Sequence, residues 1–303
     1  MSGTEFDELR PSAFAIAYRM LGSVSEAEDV VQEGFLRLHR VRAGGERIES
    51  PRAYLSTVVS RLALDYLRSA RVRREIYVGE WLPEPLVSSA DDDPPGRAEM
   101  TDSLSLAFLV LLESLSPEQR AAFLLHEVFD EPYGRIAQII ATSEQNARQL
   151  VSRARRHVEE RRPRFAASRP QQEQLAARFF AAAAEGDLDA LEKLLADNVV
   201  LHGDGGGKAP AIARAIRGRT RVARTLVAGL RTALHTGGFT FRREEVNGQQ
   251  GALFFDRESR VAGVMVLDVA NGEIQAVSSI VNPDKLRHLG PVADLAALLR
   301  ERS

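Results

Sequence analysis

Apolar positions along this chain keep two different periods. Up to about residue 162 they recur every three to four residues, the spacing of amphipathic helices; from residue 239 they alternate with period two, the spacing of strands. Phe6 to Leu21 predicts a helix with Leu9, Phe14, Ile16, Ala17 and Met20 inward and Gly22 as its stop. Ser25-Glu26-Ala27-Glu28 reads as a capping box for a helix to about Val41, with Ala27, Val30, Val31, Phe35 and Leu38 as its stripe. Ser50-Pro51 opens a long helix to about Arg74, whose core side is Leu55, Val58, Val59, Leu62, Tyr66 and Leu67.

After a polar and proline-rich stretch, helices resume at about Thr101. Ser116, Pro117 and Gln119 supply an N-cap, an N1 proline and an N3 partner for a helix carrying Phe123, Leu124, Leu125, Val128 and Phe129. A short helix follows Pro132, with Tyr133, Ile136, Ala137 and Ile140 at helical spacing. A third starts at Thr142 and buries Ala147, Leu150, Val151, Ala154 and Val158 on one stripe. The last two have the lengths and spacing of a helix-turn-helix.

The C-terminal part predicts helices over Leu175–Ala184, Leu188–Leu195 and Gly218–Leu234. Strands follow over Phe239–Val246, Gly251–Asp256, Val261–Val269 and Glu273–Val281, with hairpin signals at Asn247-Gly248 and Asn271-Gly272. That is an α+β domain, helices first and then a curved antiparallel sheet. The domain limits predicted are 1–78 and 104–162 for two all-α domains, 79–103 and 163–172 for linkers, 173–290 for the α+β domain and 291–303 for a tail.

Composition narrows the chemistry. At 303 residues there is room for two domains or three small ones. No apolar run approaches 18 residues, so no membrane helix is expected, and the polar, acidic Met1–Arg10 predicts no signal peptide. Cysteine is absent, which removes disulfides, cysteine nucleophiles and cysteine metal sites; this fits a cytoplasmic location. No metal or cofactor is expected. The net charge of −2 announces no nucleic acid for the chain as a whole. Charge is local instead: Arg148 to Arg164 holds seven arginines against Glu159 and Glu160.

Three faces are candidates for recognition. The third helix of the second all-α domain presents Gln145, Arg148, Gln149, Ser152, Arg153 and Arg156, side chains that can bond base edges and phosphates in a major groove. A solvated arginine face on an ordinary bundle helix has the same composition; the short helix before it favours DNA. The long helix ending at Arg74 carries Arg52, Arg61, Arg68, Arg71, Arg73 and Arg74, with Tyr54 and Tyr77 near its ends, a mixture suited to unpaired or distorted strands. Glu26, Asp29 and Glu33 share one helix face, which is either solvated or a dock for a basic partner. Trp81, the sole tryptophan, sits in Trp81-Leu82-Pro83-Glu84-Pro85 in the first linker, where a disordered tether has no use for it.

These segments resemble a known family. Ala17-Tyr18-Arg19-Met20-Leu21-Gly22, Glu26 to Glu33, and Pro51-Arg52-Ala53-Tyr54-Leu55 through Leu64-Asp65-Tyr66-Leu67-Arg68 are similar to the first domain of bacterial sigma factors of the extracytoplasmic-function group, and Leu115 to His157 to the second. The Trp81–Pro85 motif, Asp204-Gly205-Gly206-Gly207-Lys208 and Asn282-Pro283-Asp284-Lys285-Leu286 resemble signatures of the SigJ-type subgroup, which carries a SnoaL-like C-terminal domain with the nuclear transport factor 2-like fold. The implied fold is multidomain: two all-α sigma domains, the second with a helix-turn-helix, then an α+β SnoaL-like domain with a cone-shaped sheet. Ala141, where the turn often has Gly, and Gly134-Arg135, where an acidic pair is common, depart from the pattern.

The resemblance implies core RNA polymerase and promoter DNA as partners. Asp29, Gln32 and Glu33 would lie near the polymerase. Tyr54, Arg61, Arg68 and Arg71 would meet the −10 element, and Gln145, Asn146, Arg148, Gln149, Ser152, Arg153 and Arg156 the −35 element. Trp81, Pro83, Asp204, Lys208, Asn282, Pro283, Asp284 and Lys285 would form a regulatory contact of the C-terminal domain with the first sigma domain or the linker. The 204–208 motif lacks the spacing of a phosphate loop. His202, Asp204, His235, Asp256 and Asp268 show no catalytic spacing, so no enzyme is expected. A helix-turn-helix regulator with a small-molecule-sensing domain, or a SnoaL-like enzyme with an accessory DNA-binding half, are the alternatives.

Overall fold

The structure, a computed structural model, describes residues 3–75, 77–87, 104–160, 168–231 and 238–300, without the side chains of 3–4, 70–75 and 299–300. The acidic run Asp91–Asp93, His235 and the side chains of Arg71, Arg73 and Arg74 therefore lie outside the described residues. The chain forms two compact units. One is Met1–Ile76 with Phe108–Arg162; the other is Tyr77–Ala107 with Pro163–Ser303. The linker expected at 79–103 thus belongs to the unit of the C-terminal domain.

The first unit is helical: α1 (Gly3–Leu21), α2 (Val24–Ala43), α3 (Pro51–Glu75), α4 (Leu106–Leu112), α5 (Pro117–Glu127), α6 (Tyr133–Ile140) and α7 (Glu144–Glu159). α1, α2 and α3 pack on one another through the expected stripes; Ala27, Val30, Val31, Phe35 and Leu38 of α2 are all buried. At Gly34 a Cβ would stand 3.0 Å from Val59 and 3.1 Å from Leu55, so glycine sets the close approach of α2 to α3. The N-cap of α2 is Ser23, whose hydroxyl accepts from Glu26 N, and not Ser25 as expected. Both serines precede an acidic residue at the right spacing, and Gly22 in the left-handed region places the turn one step earlier.

α5 begins with the expected capping box: Ser116 N donates to Gln119 Oε1 and Gln119 N to Ser116 Oγ. α6 and α7 form the helix-turn-helix. Ala141, between them, adopts φ 57°, a left-handed conformation that costs a residue with a Cβ roughly 1–2 kcal/mol. The cap of α7 is Ser143, accepting from Asn146 N, one residue later than the expected Thr142. Two arginines are buried where α1 meets α5: Arg120 donates to the Arg19 carbonyl at 3.1 Å and to Glu113. Burial lowers the pKa of Arg19 to about 10 and of Arg120 to about 9.

The second unit holds α8 (Arg169–Glu185), α9 (Leu188–Glu192), β1 (Leu195–Asp204), β2 (Ile216–Arg217), α10 (Arg219–Arg231), β3 (Thr240–Val246), β4 (Gln249–Phe255), β5 (Val261–Ala270), β6 (Glu273–Ile280), two 3₁₀ turns (Pro283–Lys285 and Arg287–Leu289) and α11 (Leu295–Arg300). One six-stranded sheet runs in the order β2-β1-β6-β5-β4-β3. Phe179 and Phe180 of α8, Leu191 of α9 and Val222 and Leu226 of α10 fill its core.

The sheet is mixed rather than antiparallel, because β1 runs parallel to β6. β1 was missed in the sequence: Asp197-Asn198 interrupts its apolar pattern where the register against β6 shifts, between Leu195 and Val200. The expected helix to Leu195 therefore ends at Glu192, and the strand begins where it was thought to finish.

Candidate functional site

On α7 the inward stripe and the outward polar face separate cleanly. Ala147, Val151, Ala154 and Val158 are buried, and Leu150 is half-buried. Gln145, Asn146, Arg148, Gln149, Ser152, Arg153 and Arg156 are all exposed. Arg148 is pre-positioned: it donates to Glu144 at 2.6 Å and lies 4.4 Å from the Tyr133 ring centroid. Asn146 Nδ2 donates to Thr142 Oγ1 at 2.8 Å, so this amide has to be released before it meets a base.

The basic side of α3 is differently placed. Arg61 and Arg68 are exposed but engaged: Arg61 donates to the Gln138 carbonyl of α6 at 2.9 Å, and Arg68 to Glu118 of α5 at 3.1 Å and Asp65 at 3.2 Å. From the other side, Arg135 of α6 donates to the Ala53 carbonyl and to Thr57 Oγ1. Tyr54 is half-buried, and the Arg71 side chain is not described. On α2, Asp29 and Gln32 are exposed. Glu33 accepts from Arg37 at 2.8 Å, and this guanidinium holds its carboxyl below the ordinary range.

The linker motif and the two C-terminal motifs converge in the second unit. Asp204 ends β1 fully buried. Its Oδ1 accepts from Tyr77 Oη at 2.6 Å; its Oδ2 accepts from Leu82 N at 2.8 Å and from Lys285 Nζ at 2.6 Å. Lys285, itself buried, also donates to the Leu82 carbonyl, with Nζ 4.2 Å from the Trp81 ring centroid and 5.1 Å from that of Tyr77. Asn282 Nδ2 donates to Tyr77 Oη at 2.7 Å, and Asn282 Oδ1 accepts from Asp284 N, which starts the turn at Pro283.

Around this point Lys208 pairs with Asp284, Arg287 pairs with Asp284 at 2.8 Å, and His288 meets the Pro85 carbonyl at 2.7 Å. Pro83 is buried. The glycines of the 204–208 motif are steric: a Cβ on Gly206 would strike Asn282, and one on Gly207 would press on Val78 at 3.1 Å. Burial, then the hydrogen bond to Asp204, pushes the Tyr77 phenol pKa far up, so Tyr77 remains a donor at neutral pH.

A second grip lies on the β3–β4 hairpin, where the sequence showed only a turn. Asn247 and Gly248 have φ 53° and 72°, the two positive values a tight primed hairpin needs. The Asn247 side chain uses both ends: Oδ1 accepts from Leu86 N at 2.9 Å and Nδ2 donates to the Leu104 carbonyl at 3.0 Å. Gln249 Oε1 accepts from Leu106 N at 2.7 Å. Val87 pairs with Val246 on the edge of β3. An amide placed beyond the needs of a hairpin, and a glutamine at the start of a buried strand, are the signals that were available.

The titratable groups weighed as catalytic are spoken for. His202 Nδ1 meets Glu80 Oε1 at 2.8 Å. Burial raises the Asp256 pKa, but the hydrogen bonds it accepts from Arg260 and Glu258 N outweigh this and leave it lowered. Asp268 is raised by burial and receives Gln249 Nε2 at 3.4 Å. Among the described residues no group of His, Asp and Glu could hold a metal ion, and no helix is long and apolar enough to cross a membrane.

Comparison with known proteins follows the same divisions. Residues 6–73 match sigma-70 region 2, residues 105–158 match sigma-70 region 4, and residues 176–277 match the SnoaL-like domain. The chain is 40% identical over 294 residues to the extracytoplasmic-function RNA polymerase sigma factor SigJ of Mycobacterium tuberculosis, covering 94% of this chain and 93% of that one. It is 37% identical over 276 residues to the probable sigma factor SigI of the same species, covering 89% and 90%. A crystal structure of the M. tuberculosis SigJ protein superposes with a TM-score of 0.75 over 94% of this chain and 98% of that one. With two sigma-70 regions and relatives that match along its length, the chain belongs to the extracytoplasmic-function family of RNA polymerase sigma factors, whose two sigma regions direct transcription initiation at promoters.

Proposed function

We propose that this sigma factor is governed by its own C-terminal domain, which holds the linker between the two sigma regions and so limits how freely they engage polymerase and promoter. The observation that carries the reading is buried Asp204, which binds Tyr77, the Leu82 amide and Lys285 together. The chain works in the cytoplasm with core RNA polymerase, met near Asp29, Gln32 and Glu33. Tyr54, Arg61, Arg68 and Arg71 take the −10 strand, where withdrawing a base from the stack costs a few kcal/mol that stacking and phosphate contacts offset. The exposed α7 face reads the −35 duplex. Arg61 and Arg68 must exchange their bonds to α6 and α5 for DNA, so initiation requires these helices to part. A linker held at Tyr77–Pro85 and again at Leu86–Leu106 restricts that parting. The SnoaL-like domain acts here as a non-catalytic holder.

Transcription by core polymerase with the full-length chain tests this. Asp204→Asn, which removes the charge that gathers the three donors, is expected to raise output several-fold. Unchanged or lower output, with the protein folded, overturns the reading. For the DNA assignment, Arg148→Ala is expected to weaken a duplex −35 site by about 1–3 kcal/mol, the worth of one good bidentate base contact. Equal affinity and equal transcription would remove Arg148 from the interface.

A further inference from the structure

The SnoaL-like domain encloses a cavity of about 420 Å³ on the helix side of its sheet. Its wall draws on Leu201 and Gly203 of β1, Met265 of β5, Ser279 of β6, and Thr225 and Gly229 of α10. The volume lies within the range of small-molecule sites. Thr225 and Ser279 are the polar side chains among the described lining residues, and no described lining residue carries a charge. The Thr225 hydroxyl is already spent on the Arg221 carbonyl at 2.9 Å, so Ser279 is left to offer a hydrogen bond. An ion entering such a wall loses its water and finds no countercharge, whereas an apolar body gains by burial.

We propose that this cavity is a binding site for an uncharged, hydrocarbon-rich small molecule with at most one or two hydrogen-bonding groups. Charge sets the class, and volume sets the size. The wall also decides against turnover: among the described lining residues there is no acid, base or nucleophile stronger than a hydroxyl, so the occupant is bound and released unchanged. The cavity lies back to back with the linker clamp. Leu201 and Gly203 face it, while the alternate residues His202 and Asp204 of the same strand meet Glu80 and Tyr77. Gly203 cannot grow toward Ile212, and Gly263 would place a Cβ 3.0 Å from Val281, so the wall has little slack. The binding proposal stands apart from the clamp, because its readout is occupancy and not transcription.

The test uses the full-length chain and a neutral fluorescent probe, N-phenyl-1-naphthylamine. Saturable binding at one site is expected. Ser279→Phe places a ring in the cavity and is expected to weaken binding at least about tenfold, the loss that follows when the occupied volume is taken. Gly229→Leu is the second variant: nothing lies within 4 Å of where its Cβ would stand, so it can be added without a clash and is expected to act in the same direction. The sulfonated analogue 8-anilinonaphthalene-1-sulfonate is expected to bind about tenfold more weakly than the neutral probe, since its charge would be buried without a partner. Absence of saturable binding, equal affinity in both folded variants, or a preference for the anion overturns the proposal.

Discussion

The two ends of the linker are held by the same domain with opposite chemistry. At Tyr77–Pro85 the grip is ionic: a buried aspartate and a buried lysine, each satisfied by the other and by linker groups. At Leu86–Leu106 it is neutral: two side-chain amides on a hairpin, bonded to backbone atoms on either side of the intervening residues. A buried ion pair is intolerant of partial loss, because the remaining charge has nowhere to go. Amide contacts fail one at a time, each at the cost of one unpaired group. The first grip therefore suits a switch, and the second suits an anchor that keeps the linker in register when the first lets go.

Lys285→Met should break this contrast most severely. It strands the Asp204 carboxylate among Tyr77 Oη and Leu82 N alone, and losing one member of a buried pair costs about 3–5 kcal/mol. The segment should undock so that Asp204 can hydrate. Trp81, the one tryptophan of the chain, packs on Lys285 and reports the event directly. Its emission should move to the red and its quenching by acrylamide should rise. A variant with unchanged emission and unchanged melting temperature would show that the pair does not hold the linker.

Asn247→Asp sharpens the comparison from the other side. It keeps a residue that tolerates the positive φ of the turn but replaces the Nδ2 donor with an oxygen facing the Leu104 carbonyl. Gln249→Ala leaves the Leu106 amide without its acceptor. Each should cost about 1–3 kcal/mol, the penalty of one unsatisfied buried group. Hydrogen exchange should quicken at Leu86 or Leu106 while Trp81 emission stays where it is. Simultaneous loss of both signals would mean that the two grips are one cooperative unit.

These grips also mark how far the sequence could be read. Helix periods, caps and the exposed α7 face were visible because each is a local pattern of side-chain spacing. Asp204 and Lys285 were noticed through their motifs, and Trp81 through its odd setting between prolines. Their meeting depends on β1 running parallel beside β6, a pairing between residues some 80 positions apart in the chain that local spacing does not encode. β1 was invisible for a related reason: Asp197-Asn198 breaks its alternation at the point where the sheet tolerates a register shift. Asn247 was seen as a turn residue because that role is local; its grip on Leu86 and Leu104 is not. Likewise, nothing in the arginine content of α3 distinguishes side chains already bonded to α5 and α6 from those left open on α7.

The smallest expected effect concerns the neutral grip alone and is read through pH. Asp268 stands behind Gln249, receiving its Nε2, and burial holds its folded pKa above the ordinary 3.8. A group with a raised folded pKa contributes its stability fully below the unfolded value and loses it as pH rises through the folded value. At neutral pH the wild-type domain therefore bears the cost of an ionised, desolvated carboxylate. Asp268→Asn removes that cost yet still offers Gln249 an oxygen. The variant should melt higher than wild type at pH 7, and the gap should close as pH falls toward 4. Because the group is buried, added salt should change the gap little. A gap that is constant across this range would mean that Asp268 carries no charge at neutral pH, and the amide grip would then rest on a protonated acid.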